Sequence, residues 1–205
     1  MDFEIAMAGE MHVTAVSPSR GEINKCVAIT AETPADVAQR EALLDRAMGP
    51  MRKRKSSEKL RRGRKPSEGL AFSAKDADGR LVGTVRLWDV SVGDCRAPAL
   101  LLGPLAVDPA LKSAGLGTAL MNHAIAEARR LGHGAILLVG DAPYYARFGF
   151  SAEKTDTLAM PGPYEKSRFL ALELIEGWLD GTRGVLRASG RKIVKSGATR
   201  QAMAA

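Results

Sequence analysis

Residues 111–118 read LKSAGLGT. The segment sets a cation at Lys112, hydroxyls at Ser113 and Thr118, and glycines at Gly115 and Gly117, with Ala114 and Leu116 beside them. Glycine lets a backbone approach a bulky anion closely and permits positive φ. Unpaired N–H groups at a helix N-terminus carry partial positive charge and bind phosphate. The chemistry suggested is pyrophosphate binding where a strand hands over to a helix. A tight turn with close helix–sheet packing would use the same two glycines, so both readings stand here. Other phosphate motifs fit poorly. No lysine follows Gly117 as a P-loop requires, and Leu120 stands where the dinucleotide fingerprint needs its third glycine.

The elements that must hold this segment are legible on both sides. Ala99–Val107 is an apolar run that ends at Asp108-Pro109. Within it, Pro104 donates no ladder hydrogen bond and Gly103 tolerates unusual dihedrals, so a bulge or break is physically easy. After the loop, Leu116, Leu120, Ala124, Ala128 and Leu131 follow a helical path. Arg129 and Arg130 sit where a helix end favours cations, and Gly132 can close it. His123 and His133 lie off this stripe and are expected at the surface.

Upstream, residues 26–33 suit a strand, and Thr33 with Pro34 suits a helix start. Val37, Leu43, Leu44 and Met48 then give a helical stripe up to Gly49-Pro50. Residues 51–65 read as a second helix, with Met51 and Leu60 its only large apolar residues and Gly63 and Pro66 ending it. Residues 69–90 are two β-type runs around Asp78-Gly79, a hairpin turn. Downstream come a buried strand over 134–140, a short helix over 141–150 ending at Gly149, and a late strand over 168–177. Hairpins mixed with helical crossovers predict an α/β fold with a mixed, mostly antiparallel sheet. Residues 1–22 are expected to be an N-terminal extension, 23–180 the domain, and 181–205 a basic, flexible tail.

The chain has 205 residues, enough for one domain, with 45% hydrophobic and 26% charged residues. No stretch approaches the ~20 apolar residues of a membrane span. The acidic N-terminus lacks the pattern of a secretory signal. Cys26 and Cys95 are the only cysteines, which gives no disulfide framework and too few thiolates for a cysteine-only zinc site. A reduced, cytoplasmic protein without a metal is the expectation. The net charge is +7, and nine lysines and arginines crowd into residues 51–65 against the single Glu58. Such a block attracts nucleic acid, acidic substrates or a membrane surface, or is simply a solvated face.

LAVDPALKSAGLGTALM resembles the acetyl-CoA-binding motif of the GNAT superfamily of N-acetyltransferases, Arg/Gln-x-x-Gly-x-Gly/Ala. Gly115 and Gly117 match, while Lys112 replaces the usual Arg or Gln. YYARFGF, residues 144–150, looks like the family's Tyr-x-x-x-Gly-Phe segment. The resemblance spans roughly residues 26–175. It implies a central sheet splayed at the fourth strand and flanked by helices on both faces. It also implies acetyl-CoA as cosubstrate, with pantetheine lying in the gap. Leu105, Ala106 and Val107 would offer backbone groups to pantetheine, and Lys112, Ser113, Ala114, Gly115, Leu116, Gly117 and Thr118 would wrap the pyrophosphate.

The reaction implied is attack of an amine on the thioester, with coenzyme A leaving as a thiolate. Backbone N–H groups can stabilise the oxyanion. By motif position Tyr145 is the acid for the thiolate, a role that suits a phenol. Tyr144 holds the position usually given to packing, and Tyr145 itself could merely pack the helix. Arg147 faces either solvent or the cosubstrate's phosphates. No base is assigned: Asp141, Glu173, Glu68 and a water chain all stay open. The acceptor amine is unidentified, and late strands in the family often help form homodimers. The competing reading is a non-catalytic basic module for RNA or ribosomes on a degenerate acetyltransferase fold. The 5% aromatic content argues against stacking platforms for RNA.

Overall fold

The computed structural model describes residues 27–111 and 114–194. The expected N-terminal extension, Cys26, Lys112, Ser113 and the chain from 195 onward lie outside the described residues. In chain order the elements are β1 (Ala28–Ala31), α1 (Val37–Met48), α2 (Ser56–Arg61), β2 (Ala71–Lys75), β3 (Leu81–Val92) and β4 (Ala97–Val107). They continue with α3 (Leu116–Arg130), β5 (Ala135–Val139), α4 (Ala142–Ala146), β6 (Leu158–Ala159), β7 (Phe169–Glu173), β8 (Gly184–Val185) and β9 (Arg187–Ala188).

The main sheet runs β1-β2-β3-β4-β5-β7, with β9 also paired to β3. Every pair in it is antiparallel except β4–β5, which is parallel. Side chains alternate between two faces. Leu100 and Leu102, Ile136 and Leu138, and Leu170 and Leu172 meet α3 in one core. Leu101, Leu137, Phe169 and Ala171 meet Leu60 of α2 and the late residues Leu158, Leu179 and Leu186 in the other. The period of two along each strand therefore serves two apolar layers at once, and helices flank both faces.

On α3, Leu116, Leu120, Met121, Ala124, Ile125 and Ala128 are buried. Leu131, expected to extend the stripe, is 41% exposed because it caps the helix rather than continuing it. Each fully buried leucine contributes roughly 2 kcal/mol, so packing fixes this helix more than intrinsic propensity does. At the start of α1, the Thr33 amide donates to Asp36 at 2.9 Å and Pro34 opens the preceding 3-10 turn, as expected of that pair. Val37 is 43% exposed, however, and Arg40 takes a buried place beside Leu43 and Leu44. Arg40 can be buried because Glu32 meets its guanidinium.

The basic segment is not one helix. A 3-10 turn over Pro50–Arg54 is separated from α2 by the extended Lys55. Met51 is 56% exposed, so Leu60 alone anchors the apolar side. The chain from residue 181 to 194 is also held to the domain. Val185 pairs with Ala159, and Ala188 with Val90. Beyond them, Arg64 donates to the Gly190 carbonyl, the Lys65 amide to Arg191 at 2.8 Å, and the Ile193 amide to Gly63 at 2.9 Å. The last described residues thus brace the turn that follows α2.

Candidate active site

The parallel pairing of β4 with β5 covers only Leu100–Ile136 and Leu101–Leu137. Past these residues β4 continues to Val107, still paired to β3, while β5 continues beside β7. A wedge opens between them. Gly103 shapes its floor with φ +129, a conformation that side-chain-bearing residues rarely adopt. The Gly103 carbonyl accepts a hydrogen bond from the Trp88 indole at 2.6 Å. The β3–β4 register shifts here, between Val85 and Leu87, so the irregularity expected at Gly103-Pro104 is present.

A first cleft fills the wedge. Leu102 to Leu105, Leu138, Val139 and Tyr145 line one side of it, and Arg52, Lys55, Ser57, Glu58 and Arg61 the other. A second cleft lies beside the glycine loop, lined by Val107, Leu111, Gly115–Thr118, Tyr144 and Arg147. Neighbouring residues of the same two elements line one cleft each: Leu105 and Val107 on β4, and Tyr145 and Tyr144 on α4.

Among the expected binding residues, Leu105 borders the first cleft and Val107 the second, while the Ala106 side chain between them is buried. Gly115 sits at the α3 N-terminus with φ +79. Gly117 lies against Tyr144: a Cβ there would come within 3.0 Å of the tyrosine hydroxyl. Thr118 accepts a hydrogen bond from Arg147 at 3.3 Å. The Leu116 side chain is spent on the core, so only its backbone is available to a ligand, and Ala114 is exposed outside the cleft lining.

Tyr144 does more than pack. Its ring carries the Arg147 guanidinium at 4.2 Å and its hydroxyl overlies the loop. Tyr145 turns to the first cleft, with its ring edge-on to Tyr144 and Phe150. Gly140 gives that ring room, since a Cβ there would fall 2.1 Å from a ring carbon. The Tyr145 hydroxyl has no hydrogen-bond partner among the described residues. Burial, and then Tyr144 and Asp141, push its pKa up to about 12 against the opposing pull of Arg168. The phenol is therefore protonated at neutral pH.

The acids weighed from sequence do not reach the first cleft. Glu173 holds the Leu179 amide at 2.8 Å and Lys154 at 2.7 Å. Glu68 is exposed and pairs with Arg191. Asp141 is exposed and makes no side-chain cap. Glu58 is the carboxylate that lines the cleft among the described residues, and it was visible in sequence only as the lone acid of the basic block. His123 and His133, expected at the surface, are each partly buried. His123 is half-buried with its ring edge-on to Phe72 at 4.6 Å, and burial lowers the pKa of His133. Among the described residues no cluster suited to a metal ion occurs, and no helix is long and apolar enough to cross a membrane.

Comparison with known proteins gives concordant findings. The family model for the acetyltransferase (GNAT) family matches residues 38–150. The Escherichia coli K12 protein YhbS, described as an uncharacterized N-acetyltransferase, is 28% identical over 158 residues, covering 77% of this chain and 93% of that protein. The crystal structure of E. coli YhbS in complex with CoA superposes with a TM-score of 0.68 at 25% identity, covering 83% of this chain and 94% of that one. A GNAT family acetyltransferase from Brucella melitensis, in complex with acetyl-CoA, gives 0.61 at 26% identity, covering 80% and 96%.

Proposed function

Since this chain belongs to the acetyltransferase (GNAT) family, we propose that it transfers the acetyl group of acetyl-CoA to a primary amine by direct attack in the first cleft. The CoA and acetyl-CoA complexes of the two structural relatives support that donor. The loop fits it as well, because Gly117 leaves open the space that any side chain would take from Tyr144 and Val107. The observation that carries the reading is the wedge between β4 and β5, with Tyr145 at its edge and the glycine loop at its far end.

In this reading Gly115, Gly117 and Thr118 offer backbone and hydroxyl donors to the pyrophosphate, and Arg147 adds a cation. Lys112 and Ser113 are assigned to the same task on motif position. Leu105 to Val107 hold the pantetheine arm. The amine nitrogen bonds to the acetyl carbon, the carbon–sulfur bond breaks, and the sulfur takes a proton to leave as the thiol. Tyr145 supplies that proton. Glu58 receives the proton that the amine gives up. Part of the basic segment's charge is spent within the fold rather than offered to RNA. Arg52 is tied to Glu41 and Asp45, and Arg64 to Gly190.

The test is thermal stability with and without acetyl-CoA, for wild type and for Gly117→Trp. A ligand that binds only the native state at a hundredfold excess over its Kd stabilises by about 2.7 kcal/mol. The expected result is a clear rise in wild type that a folded Gly117→Trp variant lacks. No rise at saturating acetyl-CoA would remove the proposal.

A further inference from the structure

We propose that the acceptor amine carries a second, anionic group, a carboxylate or a phosphate ester, which seats against Arg61 and Lys55 in the first cleft. The proposal rests on the reading of that cleft as the acceptor site.

Arg61 is the first reason. Its side chain is 9% exposed, nearly as buried as Arg40 at 7%. Arg40, Arg52 and Arg86 each hydrogen-bond a carboxylate. Arg61 hydrogen-bonds none. Its Nε and Nη2 donate to the Ser57 carbonyl and hydroxyl, and Glu58 stands at 3.6 Å without a hydrogen bond. Nη1 has no partner among the described residues and lies 3.7 Å from where a Cβ on Gly103 would be, at the floor of the wedge. A buried guanidinium whose nearest carboxylate, Glu58 at 3.6 Å, makes no hydrogen bond to it is incompletely compensated. A bound anion completes the compensation, and arginine's fork suits a carboxylate or phosphate.

Lys55 is the second reason. It is exposed, has no ion pair among the described residues, and lines both the first cleft and the pocket beyond Val139 that reaches Tyr164 and Arg168. Arg52 is spent on Glu41 and Asp45, so within the cleft Lys55 and Arg61 face Glu58 alone. Glu58 is needed for the amine proton, which leaves two cations to receive an anion. The same balance repels a polyamine, whose additional charges would meet like charge.

The experiment uses the full chain saturated with CoA, so that the phosphate-binding loop is already occupied. Inorganic phosphate and glutarate are titrated by calorimetry into wild type, Arg61→Gln and Lys55→Gln. Release of CoA thiol is then followed with matched amines: β-alanine against propylamine, phosphoethanolamine against ethanolamine, and spermidine. One or both anions are expected to bind wild type, and either substitution weakens binding about tenfold, the scale of one charge-assisted hydrogen bond. The arm that binds tells carboxylate from phosphate. Among amines that react, the anionic member of the pair is preferred, and Arg61→Lys keeps a share of that preference. Lys55 is exposed, so its variant decides the matter even if Arg61→Gln fails to fold. CoA binding without anion binding, unchanged anion affinity in Lys55→Gln, or equal use of propylamine, ethanolamine or spermidine would overturn the proposal alone. Failure of CoA to bind would instead remove the reading beneath it.

Discussion

Tyr144 and Tyr145 are neighbours in sequence, yet they serve different clefts. Their rings meet at 87° with centroids 4.9 Å apart. This edge-on contact sends Tyr144 over the glycine loop and Tyr145 to the wedge between β4 and β5. A short helix beginning at Ala142 places both, with Gly140 immediately before it leaving room for the Tyr145 ring.

The division of labour predicts separable phenotypes. If Tyr145 is the proton donor, as proposed, Tyr145→Phe should lower kcat by about a hundredfold. The melting-temperature rise with acetyl-CoA should persist in it. Tyr144→Phe should leave kcat within a few-fold of wild type, on the order expected for a group outside the chemistry, and should raise the KM for acetyl-CoA. Steady-state kinetics with CoA-thiol detection, beside thermal shift, reads both.

The pKa of Tyr145 predicts an alkaline signature. The phenol titrates at about 12 in the folded protein, against about 10 in an unfolded chain. The folded state then holds the proton more tightly. Its contribution is complete below pH ~10 and is lost as pH rises from there through about 12. Denaturation midpoints from pH 8 to 11 should decline more in wild type than in Tyr145→Phe. Over the same range, kcat should show no descending limb from Tyr145 below pH ~10. A fall in kcat near neutrality that disappears in Tyr145→Phe would assign this group a much lower pKa.

Glu32 is a test of the scaffold. Its carboxylate is shared by Arg40 of α1 and Arg86 of β3, and all three side chains are buried or nearly so. Arg86 in turn stacks over Trp88, whose indole holds the Gly103 carbonyl. Glu32→Gln removes the charge that two buried cations share, leaving Arg86 without a carboxylate and Arg40 with Glu41 alone, and should cost about 3–5 kcal/mol. At roughly 2–4 °C per kcal/mol for a chain of this size, that is a loss of order 10 °C in melting temperature. A change below about 1 kcal/mol, typical of surface pairs, would contradict this account.

Much of the site is written in local spacing. Gly115 and Gly117 two apart, and Tyr145 four before Gly149, are patterns that a strand-to-helix turn and a short helix place without help from distant residues. The long elements were legible for the same reason. Arg61 and Glu58 were not, because their setting is made by Gly103 and by strands that diverge just after they pair. Nothing in KSSEKLRR marks one arginine for burial among so many exposed cations. Strands β6, β8 and β9 have two residues each, too few to show a period of two. Val37 misled because an apolar residue in the right register was outcompeted by Arg40, whose partner lies five residues before Val37 in sequence.

The brace on α2 carries a timetable. Arg64 waits for Gly190, 126 positions later in the chain. A ribosome adding about 5–20 residues per second takes roughly 6–25 s to supply it. In that interval the glycine loop, both tyrosines and β7 have all been synthesised, whereas the turn after α2 still lacks its support. In the proposed function, the loop assigned to the donor is thus synthesised well before the residues that brace the wall assigned to the acceptor.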